Sequence, residues 1–157
     1  MGQYTAEDIM NKNVIKINQN ATVKELVKLL LDNKISGVPV VNNKGVLVGI
    51  VSKADLTFHR NQAPFPLFFG PFENYVFFES KETLKKYDKE FQKQLESKVK
   101  NIMTKDVKTV KSNTPISKLA NIMIVNKINR IPVIDKKGKL VGIIARADML
   151  KAIEKIL

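Results

Sequence analysis

The chain contains no cysteine, no tryptophan and a single histidine among its 157 residues. Without cysteine it can form no disulfide, thiolate zinc site, iron–sulfur cluster or thiol nucleophile. One histidine argues against a histidine metal site and a Ser-His-Asp triad, and the P-loop and Gly-x-Gly-x-x-Gly patterns are missing. No apolar run approaches the roughly 20 residues of a membrane-spanning helix, and the N-terminus does not resemble a signal peptide. We therefore expect a cytoplasmic protein that is not an enzyme and has no membrane partner.

The chain does have a large basic excess. It carries 27 Lys and Arg against 15 Asp and Glu, for a net charge of +12. Residues 101–157 hold 12 basic and 4 acidic side chains, so this part of the chain contributes +8. A positive field of this kind favours a polyanionic partner, such as a nucleotide phosphate or a nucleic acid.

An internal repeat divides the chain. Residues 9–56 align without gaps to residues 102–149, with 19 identities in 48 positions at an offset of 93. Self-similarity at a fixed offset is the signature of a duplicated structural unit. We therefore expect a first copy at 1–56, an unrelated insertion at 57–100 and a second copy at 101–157.

Each copy predicts the element order β-α-β-β-α, in an α/β (α+β) fold. Thr22 and Glu25 form a capping-box pattern before the first helix, and Thr114 is the expected N-cap of its counterpart, with proline at the first helical position. The strands are almost continuously apolar, so both sheet faces should be covered and the copies should pack as a pseudo-two-fold pair. The predicted elements are strands at 14–17, 38–41 and 46–51 with helices from Val23 and Ala54, and strands at 107–110, 131–134 and 140–145 with helices from Pro115 and Ala147.

The insertion has its own composition. Its stretch from Phe58 to Phe78 holds eight of the eleven aromatic residues of the chain, interrupted by prolines. This predicts an aromatic hairpin or loop, followed by an amphipathic helix at about 81–98. Two interpretations stay open: the insertion covers an edge of the repeat pair, or it forms a dimer contact or a lid over a ligand site.

The two copies resemble the CBS motif, and together they resemble a CBS-domain pair, or Bateman module. No single piece is specific, but both copies carry every piece in register. The resemblance implies a regulatory module with two clefts that bind adenosine-containing ligands, namely AMP, ADP, ATP or S-adenosylmethionine. The residues that carry it are Ile9-Met10, 36–41 and 49–55, with their counterparts Ile102-Met103, 129–134 and 142–148.

The resemblance also implies site residues. In the family pattern, the aspartate that ends the Gly-apolar-x-Ser/Thr-x-x-Asp stretch binds the ribose hydroxyls, which suits a carboxylate that can accept two donors. Basic side chains would hold phosphate, since arginine binds it bidentately. The second cleft lacks hydroxyls at Ala21 and Ala145. The expected residues are Ile50, Ser52, Asp55, Thr114, Ile128 and Asn129 for the first cleft, Ile35, Ser36, Ile143 and Asp148 for the second, and Arg130 and Arg146 for phosphate.

A structural role competes with the binding role at the aspartates. Ser52 and Asp55 also form a capping-box pattern, but Asp148 persists where Ala145 has no hydroxyl, and this favours ligand binding. We therefore expect an adenosine-nucleotide sensor that acts through ligand-dependent conformational change of a homodimer on an unidentified effector protein. The alternatives are a nucleic-acid-binding basic protein and a structural dimerisation module with degenerate pockets. No catalytic residue, metal ligand or catalytic cofactor is expected.

Overall fold

The computed structural model describes residues 3–56 and 93–157, so the predicted aromatic hairpin and most of the predicted helix at 81–98 lie outside the described residues. None of the helices in these two ranges is long and apolar enough to cross a membrane. The described elements are α1 (Ala6–Ile9), β1 (Ile17–Asn18), α2 (Val23–Asp32), β2 (Gly37–Val41), β3 (Leu47–Ser52), 3-10 helices at Lys53–Leu56 and Val99–Asn101, α3 (Ile116–Asn126), β4 (Arg130–Ile134), β5 (Leu140–Ala145) and α4 (Arg146–Ile156).

Each copy is built on an antiparallel hairpin. Strand β2 pairs with β3 and β4 pairs with β5, in equivalent registers that place Pro39 opposite Ile50 and Pro132 opposite Ile143. The two hairpins confirm the predicted strands and the mixed α/β class. The first strand of each copy is shorter than predicted: β1 has two residues, parallel to β2, and the second copy shows only an isolated bridge from Val110.

The helix starts confirm one cap prediction and correct another. The Thr22 hydroxyl accepts the Glu25 amide at 3.1 Å, and the Glu25 carboxylate accepts the Thr22 amide at 2.7 Å, which completes the capping box. The prediction that Thr114 caps α3 is wrong, because the N-cap is Pro115. The Thr114 hydroxyl accepts the Lys111 amide at 3.1 Å instead, and its carbonyl accepts the Ala6 amide at 2.8 Å. Its oxygens therefore join neighbouring loops rather than the helix.

The segments that lead into the first strand of each copy pack against the other copy. The first leader, residues 5–11, contributes Ala6 and Ile9 to the core of the second copy. The second leader, residues 97–104, contributes Val99 to the core of the first copy. Reciprocal backbone hydrogen bonds fasten the first leader at Ile143 (2.9 and 3.1 Å) and the second at Ile50 (3.0 and 2.9 Å). Each copy's core is therefore completed by residues that lead into the first strand of the other copy.

The glycines in β3 and β5 permit this exchange. A Cβ on Gly49 would lie 2.5 Å from the sulfur of Met103, and a Cβ on Gly142 would lie 2.5 Å from the sulfur of Met10. Both methionine side chains therefore lie directly on strand backbone, where only glycine leaves room. The Ile-Met pair that begins the repeat in each copy thus marks the contact of each leader with the opposite hairpin.

Candidate functional site

Polar side chains of the first copy gather where β2 begins and β3 ends. The antiparallel register places Gly37 opposite Ser52, and the Lys53 amide donates to the Ser36 carbonyl at 2.9 Å. The 3-10 helix that follows β3 brings Asp55 back onto Ser52. We call Ser36, Gly37, Ser52 and Asp55 the copy-one edge.

Asp55 uses only one of its two carboxylate oxygens within this edge. Its Oδ2 accepts the Ser52 amide at 2.8 Å and the Ser52 hydroxyl at 3.3 Å. Among the described residues, none donates to Oδ1. A half-buried carboxylate can accept several hydrogen bonds at once, so Asp55 can cap its turn and still accept hydroxyl donors from a small molecule.

One cation of the second copy reaches this edge. Arg130, the first residue of β4, donates from its guanidinium to the Ser36 hydroxyl. Its side chain is half-buried, and loss of hydration lowers the pKa of Arg130 from its usual value. Guanidinium pKa values are high enough that the group stays charged. The edge therefore combines hydroxyls and a carboxylate from one copy with a positive charge from the other.

The equivalent edge of the second copy is arranged differently. We call Asn129, Ala145, Arg146 and Asp148 the copy-two edge, which is joined by a hydrogen bond of 3.0 Å from the Arg146 amide to the Asn129 carbonyl. The Asp148 carboxylate accepts the Ala145 amide at 2.8 Å through Oδ2, and its Oδ1 lies 2.9 Å from the Lys151 ammonium. Asp148 therefore caps α4 without any hydroxyl at Ala145, so its persistence is not an argument against a capping role.

The remaining sequence-predicted site residues have other described contacts. Ile35 and Ile128 each pack against the core of their own copy. Ile50 and Ile143 hold the exchanged leaders, and Thr114 holds α1. Ser36, which the sequence analysis grouped with Asp148, has its described hydrogen bonds to Lys53 and Arg130. The structure thus gathers Ser36, Ser52, Asp55 and Arg130.

Sequence reasoning missed the part played by Gly37. The available signal was a difference between the repeats, since Gly37 is the first-copy counterpart of Arg130 at the offset of 93. In the parts of the chain that the structure describes, no group of His, Asp or Glu side chains is arranged to hold a metal ion.

The family of the chain follows from comparison with known proteins. The CBS domain model matches residues 6–60 and 99–155, so the chain belongs to the CBS-domain family and carries two CBS motifs. The uncharacterized protein MJ1426 of Methanocaldococcus jannaschii is 32% identical over 151 residues, which cover 94% of this chain and 89% of that protein.

Solved structures share the fold over nearly the whole chain. The crystal structure of CBSX2 from Arabidopsis thaliana in complex with AMP matches with a TM-score of 0.71 and 26% identity, covering 98% of both chains. The CBS domain pair of protein MJ0100, in complex with 5′-methylthioadenosine and S-adenosylmethionine, matches with a TM-score of 0.68 at 22% identity, covering 99% of this chain and 100% of that one. The second likeness is evidence for the fold alone.

Proposed function

We propose that this protein is a regulatory module, not an enzyme, and that it binds an adenosine-containing nucleotide at the copy-one edge. The observation that carries the proposal is the Asp55 carboxylate, which keeps one oxygen without a described donor beside Ser52. The charge of Arg130 at the same edge supports a ligand that bears phosphate. The likeness to CBSX2, which was crystallised with AMP, agrees with this chemistry.

The roles follow from the functional groups. Asp55 accepts the ribose hydroxyls through the oxygen that its turn does not use, since a carboxylate accepts more than one donor. Ser52 and Ser36 offer hydroxyls to ribose or phosphate, and Arg130 offers charged donors to phosphate. Ile50 and Ile128, the isoleucines expected for the first cleft, supply apolar surface for the adenine, as small-molecule sites commonly do, and Ile35 and Ile143 are their counterparts for a second cleft. Arg146 is the remaining candidate phosphate donor, from the copy-two edge.

A second copy of the chain is the partner that we propose for the helices of the second repeat. Ile124 and Val125 of α3 are 70% and 68% exposed, and Leu150 and Ile153 of α4 are 67% and 53% exposed. Large apolar side chains grouped on a surface mark interaction sites. A ligand shifts a conformational equilibrium only through different affinities for the two states, and a site shared by two repeats provides such a difference. The output passes to a separate effector in the cytoplasm.

Thermal unfolding with and without ligand tests the proposal. AMP, ADP, ATP and S-adenosylmethionine are each titrated to millimolar concentration. Guanosine monophosphate is the control ligand, because it carries the ribose and phosphate of AMP but not the adenine. A ligand present at 100 times its Kd stabilises the folded state by about 2.7 kcal/mol. We expect a concentration-dependent rise of the melting temperature with at least one adenosine ligand. The absence of any shift with all four would contradict the proposal.

Nucleic-acid binding is the second outcome to test, because of the net charge of +12. Binding of a duplex that weakens steeply with salt, together with no adenosine-dependent shift of the melting temperature, would favour nucleic-acid binding.

Light scattering during chromatography gives the oligomeric state. A monomer at micromolar concentration would contradict the homodimer.

A further inference from the structure

The two repeats differ at one position that lies between them. Gly37 begins β2 and Arg130 begins β4, and the two residues are equivalent at the repeat offset of 93. A long cation in one copy thus corresponds to the smallest residue in the other. Because of this difference, the basic side chain of the second copy contacts the first copy at this position, whereas glycine has no side chain that could make the reverse contact.

The space above Gly37 is filled by Arg130. A Cβ on Gly37 would lie 2.6 Å from Nη1 of Arg130, 3.0 Å from the Val51 carbonyl oxygen and 3.1 Å from the Ser52 Cβ. The guanidinium therefore lies directly over the glycine backbone, next to Ser52. Any side chain at position 37 would compete with the guanidinium for this place.

The guanidinium is a partly desolvated cation with a neutral partner. The three ion pairs among the described residues all involve lysine, so no described carboxylate lies within 4.0 Å of Arg130. Its side-chain partner there is the hydroxyl of Ser36. A half-buried charge without a counterion favours binding of an anion, since transfer from water has already weakened its hydration. The charged group of the copy-two edge differs in this respect, since the Asp148 carboxylate has a counterion in the Lys151 ammonium at 2.9 Å.

We propose that Gly37 determines ligand specificity: by leaving room for Arg130, it makes the copy-one edge select a phosphorylated nucleotide over the corresponding nucleoside. The inference rests on the proposed function and adds the reason for an anionic ligand. Arg130 is the group that contacts phosphate, and Gly37 is a positioning residue that acts through it.

The test is a double-mutant cycle read by calorimetric titration with two probes, AMP and adenosine. The variants are Gly37→Ala, Arg130→Gln and the combination of both, and Gly49→Ala serves as the control for a buried strand glycine in the same copy. Circular dichroism and melting curves establish that each variant is folded. The readout is the ratio of the Kd values for adenosine and AMP, which a general loss of stability does not change.

We expect the wild-type protein to prefer AMP and each single variant to lose about 10- to 150-fold of that preference, the range for a charged hydrogen bond. In the Arg130→Gln background, Gly37→Ala should change the ratio by less than about twofold, because the residue acts through the arginine. Gly49→Ala should keep the wild-type ratio.

Three results would overturn the inference. Equal affinity of the wild-type protein for AMP and adenosine would do so while leaving the proposed function in place. An unchanged ratio in Gly37→Ala or in Arg130→Gln would remove the specificity role, and an unchanged ratio in Arg130→Gln overturns the inference even if Gly37→Ala does not fold. Binding of neither probe by the wild-type protein would remove the proposed function as well.

Discussion

Replacement of Asp55 by asparagine should weaken nucleotide binding, whereas the same replacement of Asp148 should not. The repeat makes the two variants a matched pair. Each removes one negative charge from an aspartate that accepts the amide three residues before it, at 2.8 Å in both copies. The second oxygen differs, because that of Asp148 lies 2.9 Å from Lys151 and that of Asp55 has no donor among the described residues.

The magnitudes follow from these contacts. Asparagine keeps one oxygen that can accept the same amide, so both variants should lose less than the about 0.5–2 kcal/mol that complete removal of a cap costs, and the melting temperature falls by about 2–4 °C for each kcal/mol lost in a chain of this size. The ion pair of Asp148 adds at most about 1 kcal/mol, because the lysine is exposed. A hydrogen bond to a charged acceptor contributes about 1.5–3 kcal/mol, so Asp55→Asn should raise the Kd for AMP by about 10- to 150-fold. Asp148→Asn should change it by less than about twofold.

Calorimetric titration with AMP gives the Kd values, and thermal unfolding without ligand gives the stability of each variant. Similar losses of stability with a large difference in Kd would separate binding from capping. Two folded variants with equal Kd values would refute the assignment of Asp55 to the ribose. A larger loss in Asp148→Asn would move the site to the copy-two edge.

Three further outcomes concern the fold. Lys34 has a φ of 52°, a conformation that costs other residues about 1–2 kcal/mol and glycine almost nothing, so Lys34→Gly should raise the melting temperature by a few degrees while Lys34→Ala should not. Hydrogen bonds from the amide and then the hydroxyl of Thr22 lower the pKa of Glu25. The ionised carboxylate therefore contributes stability that is complete above the ordinary pKa of glutamate and is lost as the pH falls through the lowered pKa. Glu25→Gln should for this reason make the melting temperature fall less steeply on acidification below about pH 4.5. Gly142→Ala should cost about 1–3 kcal/mol in urea unfolding by forcing a methyl against Met10, and adding Met10→Ala should recover part of that loss.

Local signals predicted the hairpins well and the first strands poorly. The apolar runs of β2 and β3 are joined by a turn whose Gly45 has a φ of 76°, so composition and turn chemistry agree at that place. The segment at 14–17 is equally apolar in pattern, but only Ile17 and Asn18 pair with β2. Strand length depends on where a partner lies, and a sequence window does not contain that information.

The candidate site was predictable where its residues are close in sequence. The spacing of Ser52 and Asp55 is enough to bring them together, because one helical turn spans three residues. The contact of Arg130 with Ser36 spans 94 positions and depends on the mutual packing of the repeats. The misassigned Thr114 cap has a local cause instead, since the Thr114 hydroxyl accepts the Lys111 amide three residues before it, a turn contact that competes with helix capping.

The exchange of leaders gives the two edges a physical connection. Ile50 and Gly49 of β3 hold the second leader, and Ser52 at the end of the same strand belongs to the copy-one edge. A ligand that draws Arg130 away from Ser36 changes a contact between β4 and the residue that precedes β2, while each hairpin also holds the leader of the other repeat. Packed interiors transmit such shifts because they contain few voids. Under the proposed function, a nucleotide at one edge therefore acts on both repeats, and the pair rather than the single motif is the unit that responds to the ligand.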